Sequence, residues 1–152
     1  MKKAVALLFV VLMAGASLYS QDSNIELMRA DLKTQKVAIV TENMALTDAQ
    51  SQVFWPIYKK YDAELTTVND QTIALIKDYG ANFNKMTGAK ASELMKQSFS
   101  LMGKRLKLLE KVCNDLAKAM DPIVAAKFMQ LERRITAAAD LQVASALPFI
   151  KK

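Results

Sequence analysis

Apolar positions recur along this 152-residue chain in alternating steps of three and four, the spacing of one helix face. Four segments carry the pattern. The first expected helix runs from about Asn24 to Met44, capped by Asp22, Ser23 or Asn24, with Ile25, Met28, Leu32 and Ile39 on one side. The second begins at Thr47 and continues to about Tyr79, where Gly80 offers a stop. Its apolar positions are Phe54, Tyr58, Tyr61, Leu65, Val68, Thr72, Leu75 and Tyr79, and Pro56 inside it predicts a kink or a short irregular first stretch. The third runs from about Ala89 to Ala119, with a coiled-coil-like seam of Met95, Phe99, Met102, Leu106, Leu109, Cys113, Leu116 and Met120. The fourth starts at Asp121-Pro122, a cap followed by proline at the first helical position, and carries Val124, Phe128, Leu131, Ile135 and Ala138 before Pro148. Alternating β-branched runs are missing, so no strand is expected. The fold class is all-α: a long antiparallel helical hairpin, turning at residues 81–88, with flanking N- and C-terminal helices.

Composition removes most chemistry. The chain has no histidine, which takes away imidazole bases, His-containing triads and His-ligated metal sites. One cysteine excludes an intramolecular disulfide and every CxxC-type motif. Four glycines, with no GxGxxG or GxxxxGK[ST], exclude the usual phosphate-binding loops. Glu132, followed by Arg133 and Arg134, reads as a partly buried ion pair that locks the last helix; it lacks the second carboxylate that acid–base work needs. No catalytic residue, metal site or cofactor is expected, and the protein is not read as an enzyme. The methionines and Cys113 read as core filling, and Trp55 and Tyr58 as packing around Pro56.

The N-terminus changes the compartment. Lys2 and Lys3 precede an apolar run from Ala4 to Met13, and the small residues Ala14, Gly15, Ala16 and Ser17 follow. That is the layout of a secretory signal peptide spanning residues 1–20, cleaved near Ala16 or Ser20. The run is too short for a transmembrane anchor, so membrane insertion is not expected after its removal. Residues 21–152 form a single helical domain on this reading, and the periplasm is the expected location. Loss of Lys2 and Lys3 leaves 19 basic against 15 acidic residues, a net charge of +4. So mild a charge, in that compartment, argues against nucleic-acid binding.

The third helix carries the candidate binding surface. Counted by sevens, Lys104, Lys111 and Lys118 fall opposite the seam, Leu94, Leu101 and Leu108 form another row off it, and Arg105 flanks them. An apolar row beside a basic one, away from the packing face, suits acidic and apolar partners. The alternative is that another helix or a second subunit covers the leucines while the lysines are solvated.

The second helix starts with Leu46-Thr47-Asp48-Ala49-Gln50. Thr47 as N-cap and Gln50 at N3 make a capping box, and Asp48 favours the positive end of the helix dipole. Ser51 stands where a hydrophobic staple would need an apolar partner for Leu46. This segment resembles the LTxxQ motif of the Spy/CpxP-like family, of which the chain looks like a divergent member with one motif copy, at Leu46, Thr47 and Gln50; residues 120–124 (MDPIV) stand where a second copy is usual. The resemblance implies a helical homodimer that holds unfolded envelope proteins without ATP. Lys104, Lys111 and Lys118 are then expected to attract clients and the three leucines to bury their apolar segments. The alternative function is a regulatory or structural envelope-stress protein with one dedicated partner, such as a sensor kinase.

Overall fold

A computed structural model of the chain describes residues 34–150. The expected signal peptide lies outside the described residues, as do Ile25, Met28 and Leu32. The chain divides into two compact units, residues 1–39 and 40–152; the described part of the first, residues 34–39, is helical.

Every described element is a helix. α1 covers residues 34–44, α2 Asp48–Asn82, α3 Gly88–Ala119 and α4 Pro122–Ala146, with a single 3-10 turn at Phe83–Lys85. α2 and α3, of 35 and 32 residues, are each about 50 Å long. Cross-links descend in α2 as they ascend in α3: Asp78 with Lys90, Gln71 with Lys104, Asn69 with Arg105, Glu64 with Lys111. The hairpin is therefore antiparallel. α4 returns along α3, since Asp140 lies by Arg105 and Pro148 accepts from the Tyr79 hydroxyl.

The helix starts are the ones the local chemistry dictates. The Thr47 N–H donates to Gln50 Oε1 (3.0 Å) and the Gln50 N–H donates to Thr47 Oγ1 (3.3 Å), which closes the capping box. Leu46, without its staple partner, packs on the core instead. Asp121 caps α4, accepting from the Ile123 N–H, with Pro122 at the first position. Gly80 does not stop α2. The helix runs on to Asn82, whose side-chain amide donates to the Asp78 carbonyl and carboxylate. Helix α2 also continues through Pro56.

The core sits at the end of the hairpin where α2 begins and α3 ends. Phe54, Tyr58 and Tyr61 of α2 surround Phe128 of α4 with ring centroids 5.6, 6.1 and 5.8 Å away. Val40 and Met44 of α1, Val112 and Leu116 of α3, and Ala125 and Leu131 of α4 complete it. Ile39, expected on the apolar side of the first helix, is exposed. Towards the hairpin tip burial thins, and the second half of α4, Ala138 included, is exposed from residue 137 to 146.

Between α1 and α2 the backbone of Ala45 adopts φ 48°, the left-handed region in which a Cβ costs about 1 kcal/mol or more. Ala45→Gly is expected to stabilise the protein by about 1 kcal/mol, seen as a higher urea midpoint at unchanged slope; a lower midpoint would show that the turn is held by something other than its backbone conformation.

Candidate functional site

Helix α3 carries two apolar rows about 100° apart, because Leu94 and Leu101 each precede a methionine, Met95 and Met102. Only one row faces the hairpin. Leu94 and Leu101 are 7% and 9% exposed, and Leu108 is half-buried against the core. The three leucines expected to meet clients are thus the seam with α2. Conversely, Met95, Phe99, Met102 and Leu106, expected in the seam, stand 57%, 70%, 63% and 66% exposed. The expected seam holds only over the last third of the helix, where Leu109, Cys113 and Met120 pack on the core and Leu116 is fully buried. An α-helix drifts about 20° per heptad against a strict seven-residue repeat. One row therefore cannot stay buried over four heptads unless the helices supercoil. Here the buried face rotates from the Met–Phe row at the core end to the leucine row towards the tip.

The basic residues are engaged too. Lys104 Nζ donates to Gln71 Oε1 (3.0 Å), and Lys111 Nζ meets the Glu64 carboxylate at 2.8 and 3.0 Å. Arg105 spans three helices: it donates to Asn69 Oδ1 of α2 (2.8 Å) and Asp140 Oδ1 of α4 (3.4 Å). These contacts zip the hairpin and do not form a row waiting for acidic clients. Lys118 is exposed in the last turn of α3, where a positive charge suits the helix dipole. At 100° per residue the Lys104–Lys111 side lies on the far face of α3 from the methionine–phenylalanine strip. On that far face an open groove of about 640 Å³ separates α2 from α3, lined by Ala74, Leu75, Leu101, Lys96 and Lys104 among others.

The exposed strip is the feature sequence reasoning missed. Met95, Phe99, Met102 and Leu106 repeat in steps of four, three and four over about 16 Å of helix. Gly103 lies beside the strip, and a Cβ built there meets nothing within 4 Å. Lys96 and Glu110 are exposed on the same flank. The available signal was the pair of adjacent apolar rows, which marked one of them as surplus.

Inside the core, Glu132 is 2% exposed. It does not pair with Arg133 and Arg134, which are both exposed, because its position on α4 points it at α2, where it hydrogen-bonds Tyr61. Burial, then the charges of Asp62 and Glu132, push the Tyr58 hydroxyl above its usual range; burial and Glu132 do the same to Tyr61, opposed by Arg105. Burial, then Glu132, raises the Cys113 thiol, which makes it a poorer nucleophile at neutral pH. The sign for the tyrosines follows from linkage. An unfolded tyrosine releases its proton near pH 10 while the buried one retains it, so the folded state is favoured below that pH and loses stability above it. Stability from urea denaturation is expected to begin falling at about pH 8.5, where the unfolded Cys113 thiol ionises and the buried one does not, and to fall more steeply above about pH 10, by up to about 1.4 kcal/mol per pH unit for each tyrosine; Tyr58→Phe is expected to remove one tyrosine's share of the steeper fall.

Among the described residues no group of three or more His, Cys, Asp or Glu is placed to hold a metal ion, and no helix is long and apolar enough to cross a membrane. Comparison with family models, with curated proteins and with solved structures returns no match.

Proposed function

We infer that the protein is an ATP-independent binding protein that holds unfolded or misfolded envelope proteins by their apolar segments, after export to the periplasm. One observation carries this reading: four large apolar side chains on α3, aligned on one face and each more than half exposed. Contiguous exposed apolar surface on a protein otherwise able to bury such side chains marks an interaction site. Two of the four are methionines, whose flexible thioethers adapt to varied partners, and Phe99 supplies a rigid anchor. The strip is short, so each contact is weak, which suits release without an energy source. The LTxxQ-like cap contributes by starting α2 and seating Leu46 on the core; it lies away from the strip and is a structural element of this reading.

The test is light scattering of a chemically denatured substrate diluted into buffer with increasing amounts of purified protein. Suppression at stoichiometric ratios, across unrelated substrates, supports the reading. No suppression of any substrate, with capture of one stoichiometric partner from an envelope extract, would replace it with the regulatory alternative.

A further inference from the structure

We propose that Met95 and Met102 form a reversible oxidation site, and that converting their thioethers to sulfoxides closes the α3 strip to clients while the fold stays intact. The proposal rests on the client-holding reading above and adds its regulation.

Exposure selects the site. An oxidant must reach the sulfur atom, so accessible thioethers react first. Among the described methionines Met102 and Met95 stand 63% and 57% exposed, and Met129 follows at 39%. Met44 is 3% exposed in the core, and Met86 and Met120 are half-buried. Cys113 packs on the core, and burial raises its thiol, which leaves little thiolate to compete for oxidant. The sulfur atoms are thus sorted by position: those in or against the core are shielded, and the two on the strip are open.

The chemistry is a two-electron oxygen transfer from a hypohalous acid or hydrogen peroxide. The sulfur lone pair attacks the oxidant's oxygen, the S–O bond forms, and the oxygen–halogen or O–O bond breaks. Halide and a proton leave in the first case, water in the second; sulfur is oxidised and the oxidant reduced. Methionine sulfoxide reductases reverse the step, one enzyme for each sulfoxide epimer.

The placement of the two sulfurs gives the oxidation its effect. Each sulfoxide replaces a flexible apolar end with a polar one. Met95 lies four residues before Phe99 and Met102 three after it, so oxidation sets polar groups on both sides of the ring. Leu106 is then separated from Phe99 by about 10 Å of helix with no apolar strip neighbour between them. Contiguous apolar surface is what marks an interaction site, and two isolated side chains no longer supply it. A client's apolar segment would also have to desolvate two S–O dipoles. Neither methionine belongs to the core, so the helices have no reason to move.

The experiment treats the full purified chain with hypochlorite in small molar excess and then quenches it. Peptide mass spectrometry locates the added oxygen, circular dichroism follows the fold, and the anisotropy of a labelled unfolded polypeptide, added after quenching, reads binding. Met95 and Met102 are expected to gain oxygen before Met129 and Met44, at unchanged helicity. Affinity is expected to fall about fivefold or more and to return after treatment with both sulfoxide reductases. Met95→Leu/Met102→Leu, apolar but without sulfur, is expected to bind within about twofold of wild type and to ignore the oxidant. Cys113→Ala is expected to respond as wild type does. Oxidation that starts elsewhere, unfolding on oxidation, a leucine variant that still responds or a Cys113→Ala variant that does not would each overturn the proposal. Binding that survives oxidation of both methionines would end the switch alone, whereas an untreated chain that binds no polypeptide would end the client-holding reading and the switch with it.

Discussion

Leu101→Gln is expected to cost about 3 kcal/mol or more, whereas Met102→Gln, one residue further on, leaves stability within about 0.5 kcal/mol of wild type. Glutamine and methionine are comparable helix formers, so propensity does not separate the two changes. Burial does. Leu101 is 9% exposed in the α2–α3 seam, and replacing it removes packed methylenes and sets a polar amide in an apolar seam. Met102 is 63% exposed, and its replacement exchanges one solvated side chain for another. Urea denaturation followed by circular dichroism checks both. The opposite ranking would mean that the seam of α3 runs along the methionine row and that no apolar strip is open. Leu94→Gln against Met95→Gln, one heptad earlier, is expected to repeat the contrast.

Phe128→Ala is expected to destabilise the protein by about 3–5 kcal/mol, among the largest single effects available to it. Phe128 is fully buried and is the ring on which Phe54, Tyr58 and Tyr61 converge. Its removal opens a void lined by aromatic edges, which backbone held in long helices cannot collapse to fill. Against a total stability of about 5–15 kcal/mol, such a loss brings the midpoint down by roughly 10 °C or more. Thermal unfolding by calorimetry measures it. A loss under about 1 kcal/mol would place the core elsewhere. Ile123→Ala, five residues upstream and 77% exposed, is expected to be neutral and serves as the control.

What the sequence made legible was local. Thr47 with Gln50, and Asp121 with Pro122, specify helix starts through contacts within four residues, and both starts stand where those residues put them. The apolar face of α2 was legible because it is a single row: Phe54, Tyr58, Tyr61, Leu65 and Val68 are all buried. Helix α3 was not, because two rows of equal quality lie side by side and the choice between them is made by where α2 and α4 cross it. The same holds for its charges. Lys104 and Lys111 look solvated in a heptad count, but their partners Gln71 and Glu64 come from the opposite arm of the hairpin, and only the register of the two helices brings them together. Glu132 is the third case. Its sequence neighbours are arginines, yet neighbours on a helix diverge by about 100°, and its hydrogen-bonding partner is Tyr61 of another helix. The stop at Gly80 failed for a related reason: a glycine permits a helix to end but does not require it, and the Asn82 amide holds the last turn.

If the exposed face of α3 is what takes hold of other proteins, binding of a labelled unfolded polypeptide must distinguish wild type from the variant Met95→Gln/Phe99→Gln/Met102→Gln/Leu106→Gln. The variant is expected to keep wild-type helicity and thermal stability, with affinity for the polypeptide reduced at least tenfold. Undiminished affinity in a variant that folds as well as wild type would contradict that role for α3.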